Sequence, residues 1–307
     1  MKVLVLGGAG YLGSVMCGSL VKDGHTVTAY DNLMYGEAGL LYLCNQPKFD
    51  FILGDVRDTE KLRDIVQDFD VVIHLVGIVG DNICEQYHQL ACDINHKSVV
   101  DVHRICSRSQ LVIFPATNSG YGFSDGKCLC NEDTPRQPNS SYACTKAAAE
   151  TYMLEQPNVM VLRLATVFGP SPRMRADLLV NDIVYRAVYD KYITLYENSY
   201  VRNYIHIDDV ADAFVFALCK LPVGDVYNVG NDNLNISKIE VAEAVQKMVP
   251  ELHLTTRPGI DPDLRNYRTT SKKLAQLGFT AKRSLEEGIE GMIKAFKVIG
   301  NTRIGNN

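Results

Sequence analysis

The chain has 307 residues, of which 46% are apolar and 22% charged, and its formal charge at pH 7 is −5. This length can bury a substantial core in one large or two modest domains, and the negative charge without like-charged runs argues against nucleic-acid or anionic-membrane partners. No apolar segment approaches the roughly twenty residues that span a bilayer, and the opening residues resemble a strand more than a signal peptide, so a cytoplasmic protein is expected.

The chain begins with a predicted strand at 1–6, a glycine-rich turn and a predicted helix at 11–23. The turn carries three glycines in the spacing G-x-x-G-x-x-G, namely Gly7, Gly10 and Gly13. Backbone N–H groups at such a helix start can approach a pyrophosphate because no Cβ stands in the way. A second predicted strand at 25–30 ends in Asp31, at about the twenty-residue offset where an acid can hold a ribose 2′-hydroxyl. This pattern predicts a dinucleotide site.

Strands and helices keep alternating up to residue 164. Further strands are predicted at 49–54, 70–77, 111–114 and 159–164. Helices are predicted at 59–69, 93–107 and 140–155. Six strands interleaved with helices predict an α/β fold with a doubly wound parallel sheet, the Rossmann type, whose ligands bind at the carboxyl ends of the strands.

After residue 168 the pattern loosens, which predicts a smaller C-terminal lobe for the substrate. Residues 1–168 with about 204–229 are expected to form the dinucleotide-binding domain, and about 169–203 with 230–300 the second lobe. Later elements are predicted at 178–191, 204–207, 210–219, 237–248 and 285–298. The residues from about Gly300 onward have no hydrophobic periodicity and are expected to be frayed.

The sharpest chemical signal is Tyr142-Ala143-Cys144-Thr145-Lys146, because a spacing of four places Tyr142 and Lys146 on one face of the predicted helix. A phenol with a pKa of about 10 is a poor base at neutral pH, and an adjacent ammonium stabilises the phenolate. An exposed Tyr/Lys pair without function is the alternative. The preceding dinucleotide pattern, and Thr117 at the end of a strand, favour a catalytic pair in which Thr117 bonds the same substrate oxygen.

The nine cysteines are odd in number and predict reduced thiols rather than a disulfide framework. The one close pair, Cys128 and Cys130, lacks a second pair or histidines at zinc spacing. No metal site is expected.

In this order the motifs resemble the extended short-chain dehydrogenases/reductases, in their branch of NAD-dependent nucleotide-sugar epimerases and dehydratases. Besides the glycines and the Tyr142/Lys146 pair, the resemblance includes Asp31-Asn32, Gly54-Asp55-Val56, His74-Leu75, Asn95, Tyr121-Gly122 and Phe168-Gly169-Pro170. The family usually pairs the helices that correspond to 93–107 and 140–155, which implies a homodimer.

The resemblance implies an NAD enzyme with Tyr142 as base, Thr117 in the Ser/Thr position, and Lys146 binding the nicotinamide ribose and tuning Tyr142. It further implies cofactor contacts at Gly7, Gly10, Tyr11, Leu12, Gly13, Asp31, Asn32, Asp55, Val56, Leu75, Val76, Gly77 and Asn95. Asp31 favours NAD over NADP because a carboxylate there would repel a 2′-phosphate.

The residues after Thr117 bear on the reaction. In the 4,6-dehydratases of this branch an acid and usually a glutamate follow, whereas Asn118 and Ser119 cannot titrate usefully. Dehydration is therefore disfavoured, and oxidation of the sugar at C4 by hydride transfer to NAD⁺ is expected. The ketone then either leaves, as in a dehydrogenase, or is reduced on its other face, as in a 4-epimerase. A non-catalytic NAD-binding sensor is the alternative of another class.

The resemblance implies a nucleotide-diphospho-sugar as substrate, and the second lobe has arginines that suit an anionic ligand such as phosphate. These are Arg173, Arg175, Arg202 and Arg265, of which the last two match the family's pattern best. The expected substrate contacts are Asn118, Ser119, Thr166, Arg175, Asn181, Arg202 and Arg265. Thr166 stands where the family commonly has Asn. Because the threonine side chain is shorter, it reaches less far toward the substrate.

A narrower group that the chain resembles is the GDP-heptose 4-dehydrogenases of bacterial capsule pathways. The resemblance lies in residues 115–122, 163–169, 171–175, 178–182 and 261–263. It implies a tightly held cofactor, oxidation of the heptose C4 hydroxyl and recycling of NADH by a keto acid. Residues 74–77 and 80–82 depart from that group, and this loop is expected to face the sugar.

Overall fold

The computed structural model describes residues 1–123, 129–196, 199–259 and 265–306. Cys128 and the 261–263 segment lie outside these ranges, so the expectations placed on them stay predictions. Within these ranges no helix has both the length and the hydropathy that crossing a bilayer requires. In the same residues, no three His, Cys, Asp or Glu side chains are grouped so that they could hold a metal ion.

The described residues form fourteen strands and eleven α-helices. The strands are β1 (Lys2–Leu6), β2 (Thr26–Asp31), β3 (Phe49–Leu53), β4 (Val71–His74), β5 (Leu111–Thr117), β6 (Leu129–Cys130), β7 (Val159–Leu164), β8 (Thr166–Phe168), β9 (Tyr192–Leu195), β10 (Val201–His206), β11 (Val226–Val229), β12 (Asn235–Ser237), β13 (His253–Thr256) and β14 (Arg268–Thr269). The helices are α1 (Tyr11–Lys22), α2 (Thr59–Val66), α3 (Asp81–Gln86), α4 (His88–Cys92), α5 (Ser98–Ile105), α6 (Ser141–Leu154), α7 (Leu179–Tyr189), α8 (Ile207–Lys220), α9 (Lys238–Met248), α10 (Lys272–Gln276) and α11 (Leu285–Ile299).

Seven strands form one parallel sheet in the order β11-β7-β5-β4-β1-β2-β3. Six of them are the strands expected from the sequence, and β11 adds a seventh at the edge. The chain runs outward from β1 in one direction and from β4 in the other, so the two strands flank a topological switch point. The predicted doubly wound α/β fold is therefore confirmed, and the crevice at the carboxyl ends of β1 and β4 is the place where such sheets bind ligands.

Side chains of the sheet alternate between two helical layers. Val3 and Val5 of β1 belong to the core under α1 and α8, whereas Leu4 and Leu6 belong to the core under α2, α5 and α6. Because both faces are covered, the strands consist almost entirely of apolar residues, which is typical of parallel sheets. This double burial fixes the positions of the strand ends that carry the site.

The second lobe has its own core between α7, α9 and α11. Its largest sheet has the order β12-β10-β8, with β10 parallel to β8 and antiparallel to β12. The strand expected at 204–207 is thus part of this small sheet, while α8 packs on α1 and β11 joins the large sheet. The assignment of one lobe to the cofactor and the other to the substrate stays a prediction.

The long helix expected at 93–107 is confirmed over residues 93–105, which are helical throughout, although its first turn is not α-helical. The segment starts earlier, with α3 and α4, passes through a π-helical turn at Asp93–Lys97 and ends in α5. The turn places Asn95 inward, where its Oδ1 accepts from the backbone N–H of Ile78 at 2.8 Å and its Nδ2 donates to the Ile78 carbonyl at 2.9 Å. Because these bonds are made to a loop distant in sequence, helical periodicity alone does not indicate the π-helical turn.

The expected fraying after Gly300 is wrong. Residues 301–306 lie against the segment from Arg173 to Tyr185. Three hydrogen bonds fix them there: Ala176 N to Ile304 O at 2.6 Å, Arg173 Nη2 to Gly305 O at 3.0 Å, and Tyr185 OH to Asn301 Oδ1 at 2.9 Å. Arg303 adds an ion pair with Asp182. Because polar and backbone groups make these contacts, the segment has no apolar periodicity from which docking could be predicted.

Candidate active site

One cavity of about 990 Å³ opens at the carboxyl ends of β1, β4 and β5, and both lobes contribute to its wall. With three exceptions, every site residue expected from the sequence lines it. The exceptions are Asn95, Asn118 and Asn181, whose side chains are fully buried. The fold therefore brings together the glycine turn, Asp31, Tyr142, Lys146 and arginines of the second lobe.

The glycine turn leaves no room for side chains at two of its positions. Gly7 has φ +83°, and a Cβ there would lie 2.9 Å from the backbone N of Val76. A Cβ on Gly13 would lie 2.1 Å from the Gly7 carbonyl oxygen. Helix α1 has Gly10 as its N-cap and no side chain caps it, so its first N–H groups are available to an anion. The turn therefore fits a pyrophosphate.

Asp31 is held by two backbone donors at the end of β2. Its Oδ2 accepts from Ala9 N at 3.0 Å and its Oδ1 from Leu33 N at 2.8 Å. Burial raises the pKa of Asp31, and these N–H groups and the charge of Arg173 oppose that shift. The guanidinium of Arg173 lies 4.6 Å from the centre of the Tyr35 ring. Both Arg173 and Tyr35 line the cavity, so the acid suited to a ribose hydroxyl has a cationic neighbour.

Replacing Asp31 by Asn is expected to weaken NAD binding and to reduce the preference for NAD over NADP. A hydrogen bond to a charged group contributes about 1.5–3 kcal/mol, which corresponds to a loss of affinity of roughly 10- to 150-fold. Calorimetric titration with both dinucleotides measures it. Asp64→Asn, an exposed position on α2, is the matched control and should bind NAD as the wild type does. Unchanged NAD affinity in Asp31→Asn would remove Asp31 from the cofactor site.

Tyr142 and Lys146 lie one turn apart on α6 and both line the cavity. Ser140 caps this helix through its Oγ, which accepts from Ala143 N at 3.3 Å. Burial raises the pKa of Tyr142 to about 12 and lowers the pKa of Lys146 to about 7, although Glu150 opposes the second shift. The Lys146 ammonium lies 4.1 Å from the centre of the Phe114 ring. The expected lowering of the phenol pKa is therefore wrong for the chain by itself, because burial outweighs the charges around the phenol.

Thr117 ends β5, and Asn118 and Ser119 begin the turn after it; the three side chains have different surroundings. Thr117 lines the cavity, and its Oγ1 accepts from Ser119 N at 3.1 Å. Asn118 points away from the cavity and donates through Nδ2 to Thr269 Oγ1 at 3.2 Å. Ser119 faces the cavity, where its Oγ accepts from Arg265 Nη1 at 3.0 Å. Neither Asn118 nor Ser119 presents an ionisable group to a substrate.

Asn95 and Asn181 connect elements of the protein around the cavity. Besides its bonds to Ile78, Asn95 donates through Nδ2 to Thr145 Oγ1 at 3.2 Å, which joins the loop after β4 to α6. Asn181 donates to the carbonyl of Arg175 at 2.8 Å and accepts from the backbone N of Gly169 at 3.3 Å. Both amides therefore fix the wall of the cavity, and neither lines it as the expected ligand contacts would require.

Several cations line the cavity on the side of the second lobe. Arg175 forms a double ion pair with Asp177, with Nε and Oδ1 3.0 Å apart, and this pair keeps the pKa of Asp177 below its usual value. Arg202 on β10 and Lys238 at the start of α9 are each 3% exposed. Thr166, at the start of β8, also lines this part of the cavity. Buried cations of this kind suit a diphosphate.

Several residues that line the cavity were not among those predicted from the sequence, including Tyr35, Asp81, Lys238 and Tyr267. Ser237 and Glu240 form a capping box at the start of α9, and Lys238 is the residue that follows Ser237. That spacing predicts a helix start, but it does not indicate which way the lysine points. Asp81 lies in the 80–82 segment, which was expected to face the sugar. Its acidic side chain was the feature of the sequence that could have indicated a place in the site.

The sequence of the chain is similar to a protein family and to individual proteins of other organisms. A sequence model described as the NAD dependent epimerase/dehydratase family matches residues 3–230. UDP-glucose 4-epimerase of Mycolicibacterium smegmatis is 29% identical over 97% of this chain and 99% of its own. The dTDP-D-glucose 4,6-dehydratase of Homo sapiens is 27% identical over 96% and 90%.

Solved structures resemble the whole chain. UDP-glucose 4-epimerase of Thermus thermophilus, in complex with NAD, has a TM-score of 0.84 and 27% identity, and covers 97% of this chain and 99% of its own. UDP-glucuronic acid 4-epimerase of Bacillus cereus, in complex with UDP-glucuronic acid and NAD, has a TM-score of 0.87 and 25% identity, with coverages of 98% and 100%.

Proposed function

The chain belongs to the NAD dependent epimerase/dehydratase family, and from this premise we propose that it oxidises a nucleotide-diphospho-sugar at C4, with Tyr142 as the proton acceptor. The observation that carries the proposal is the single cavity shared by the glycine turn, Asp31, Tyr142, Lys146 and the second-lobe cations. Its two ends have different chemistry. A dinucleotide fits the first lobe and a diphosphate fits the second.

NAD supplies the hydride acceptor when it is bound. The phenolate of Tyr142 takes the proton of the sugar hydroxyl, and the hydroxyl of Thr117 bonds the same oxygen. Burial lowers the pKa of Lys146 to about 7, so this lysine can still place positive charge beside the reaction. Arg175, Arg202 and Lys238 neutralise the diphosphate, and Arg265 is a further substrate contact that the family resemblance implies.

Dehydration is the reaction that the residues support least. The family includes 4,6-dehydratases, and one of the similar proteins carries that name. Those enzymes move protons with carboxylates after the Ser/Thr position, whereas this chain has the buried amide of Asn118 and the hydroxyl of Ser119. Oxidation at C4 without loss of water needs neither carboxylate.

For the fate of the ketone we propose release, as in a GDP-heptose 4-dehydrogenase, and we keep the 4-epimerase as the second candidate. The first is supported by the segments around Thr117, Thr166 and Arg173 that resemble that group. The second is supported by the epimerases among the similar proteins and structures. Both begin with the same step at Tyr142.

Incubation of the purified protein with NAD and GDP-, ADP-, CDP- and UDP-sugars, followed by mass spectrometry and NMR, tests the proposal. A released ketone lacks two hydrogen atoms, and a 2-keto acid should sustain its formation by reoxidising NADH. An epimer has unchanged mass and an inverted C4. Loss of one water would contradict both candidates, and the absence of any product would favour a sensor that binds NAD without turnover.

A further inference from the structure

Arg173 leaves the chain beside the glycine turn. Its backbone N donates to Ser171 Oγ at 3.2 Å, and that hydroxyl donates to the Tyr11 carbonyl at 2.7 Å. A Cβ added to Gly39 would lie 2.9 Å from Cβ of Arg173 and 3.0 Å from the carbonyl oxygen of Ala9. The Arg173 side chain therefore begins next to the start of α1, whose first N–H groups are available to an anion.

Two groups from other segments hold the guanidinium of Arg173 in place. It lies 4.6 Å from the centre of the Tyr35 ring, in the loop after β2, and its Nη2 donates to the Gly305 carbonyl at 3.0 Å. The residue is 6% exposed and lines the cavity together with Tyr35 and Asp31. Arg173 thus belongs to the half of the cavity where the dinucleotide fits.

The charge of Arg173 has no carboxylate partner in the described part of the chain. Its guanidinium contacts a neutral carbonyl and a ring, and its Nε is buried without a hydrogen-bond acceptor. Arg175 differs, because both carboxylate oxygens of Asp177 pair with it. Burial, and next the charge of Arg175, lower the pKa of Arg173, so the fold by itself disfavours a positive charge at this place. An anion bound beside Arg173 would offset that cost.

We propose that Arg173 binds the pyrophosphate of the dinucleotide, adding a cation to the N–H groups of the glycine turn, while Tyr35 and Gly305 keep its guanidinium in place. The phosphates are the only anionic groups of NAD, and a guanidinium can bond two phosphate oxygens at once. Arg173 was expected among the cations that suit the substrate diphosphate, and this contact assigns it to the cofactor instead. The assignment depends neither on the sugar that reacts nor on the role of Tyr142.

The test compares adenine ligands with and without phosphates, using the full chain freed of nucleotide. Arg173→Gln should weaken the binding of 5′-ADP by roughly 10- to 100-fold, as expected for the loss of a hydrogen-bonded charge, and should leave adenosine binding unchanged. Arg104→Gln is the matched control, because Arg104 also lies over a tyrosine ring, that of Tyr152, but does not line the cavity. It should bind both ligands as the wild type does. Calorimetric titration measures the affinities.

Arg173→Lys serves as the second variant, because it keeps the charge but loses the planar group. It should bind 5′-ADP more tightly than Arg173→Gln and less tightly than the wild type. Wild-type affinity of Arg173→Gln for 5′-ADP would overturn the proposal. An equal loss of adenosine and 5′-ADP binding would also overturn it, since the phosphates would then make no difference. An Arg173→Lys protein that binds 5′-ADP no better than Arg173→Gln would contradict a role for the charge.

Two further ligands distinguish the pyrophosphate from other phosphates. The phosphate of 2′-AMP lies on the ribose oxygen that Asp31 is expected to bond, and UDP represents the substrate diphosphate in the NAD-saturated protein. Arg173→Gln should bind both as the wild type does. A greater loss of 2′-AMP than of 5′-ADP would place Arg173 at the ribose, a greater loss of UDP would place it at the substrate, and either would overturn the proposal. None of these ligands is turned over, so the result holds whether or not oxidation at C4 is found.

Discussion

Tyr142→Phe is expected to lower kcat by about 10²- to 10⁴-fold and to leave the affinity for NAD unchanged. The substitution removes only the hydroxyl that accepts the proton. The ring that packs against the apolar cluster beside α3 remains, so the wall of the cavity keeps its shape. Turnover is measured with the nucleotide sugar that gives a product, and NAD affinity by calorimetry.

Tyr152→Phe is the matched control for this variant. Tyr152 lies on the same helix, and its hydroxyl lies 3.0 Å from His103 Nδ1 instead of lining the cavity. We expect wild-type turnover from it. If Tyr142→Phe also turned over at the wild-type rate, a phenolate could not be the base. A loss of NAD binding along with turnover would indicate damage to the cavity instead.

Arg163→Met is expected to lower the free energy of unfolding by about 3–5 kcal/mol. Arg163 Nε and Glu150 Oε1 are 2.8 Å apart, and the two side chains are 5% and 2% exposed. Arg163 also donates through Nη1 to the hydroxyl of Tyr121 at 2.8 Å. Removing the guanidinium leaves a buried carboxylate whose other ion-pair partner, Arg136 at 3.2 Å, is at the edge of the core. A buried carboxylate that loses the better buried of its two partners is costly.

The double variant Arg163→Met/Glu150→Met separates the charge from the volume. Removing both ions and filling the space with apolar side chains is often close to neutral, so most of the lost stability should return. Denaturant unfolding of the wild type, both single variants and the double variant gives the interaction free energy. A single variant that loses less than about 1 kcal/mol, the usual value of an exposed pair, would contradict the buried-pair interpretation.

The network of Arg163 also concerns the cavity. Glu150 lies one turn beyond Lys146 on α6 and favours the charged form of that lysine. Glu150, which favours the protonated form of Lys146, is therefore bound to Arg163 of β7 and does not line the cavity. The same buried carboxylate, that of Glu150, thus contributes both to the stability of the fold and to the charge of Lys146.

The sequence predicts those parts of the protein that depend on neighbours along the chain. The glycine turn, Asp31 and the Tyr142/Lys146 pair have fixed spacings within one βαβ unit or one helix turn, and the structure brings all of them to one cavity. The central strands of the large sheet are predictable because burial on both faces makes them mostly apolar.

Features that join distant segments could not be predicted in this way. Ser119 and Arg265 are 146 residues apart, and nothing in either segment indicates the other. The raised pKa of Tyr142 results from burial by the folded chain, which opposes the local effect of Lys146 expected from spacing. The inward position of Asn95 likewise depends on the Ile78 loop, and the π-helical turn that produces it has no apolar pattern of its own.

The docked 301–306 segment gives this protein a natural place for an optical reporter. Asn306 lines the cavity, while Ile304 and Arg303 hold the preceding residues to the second lobe. An environment-sensitive dye carried at position 306 would sit at the wall of the cavity. Its emission would respond to occupancy of the cavity in real time, without a coupled assay and before the preferred sugar is known.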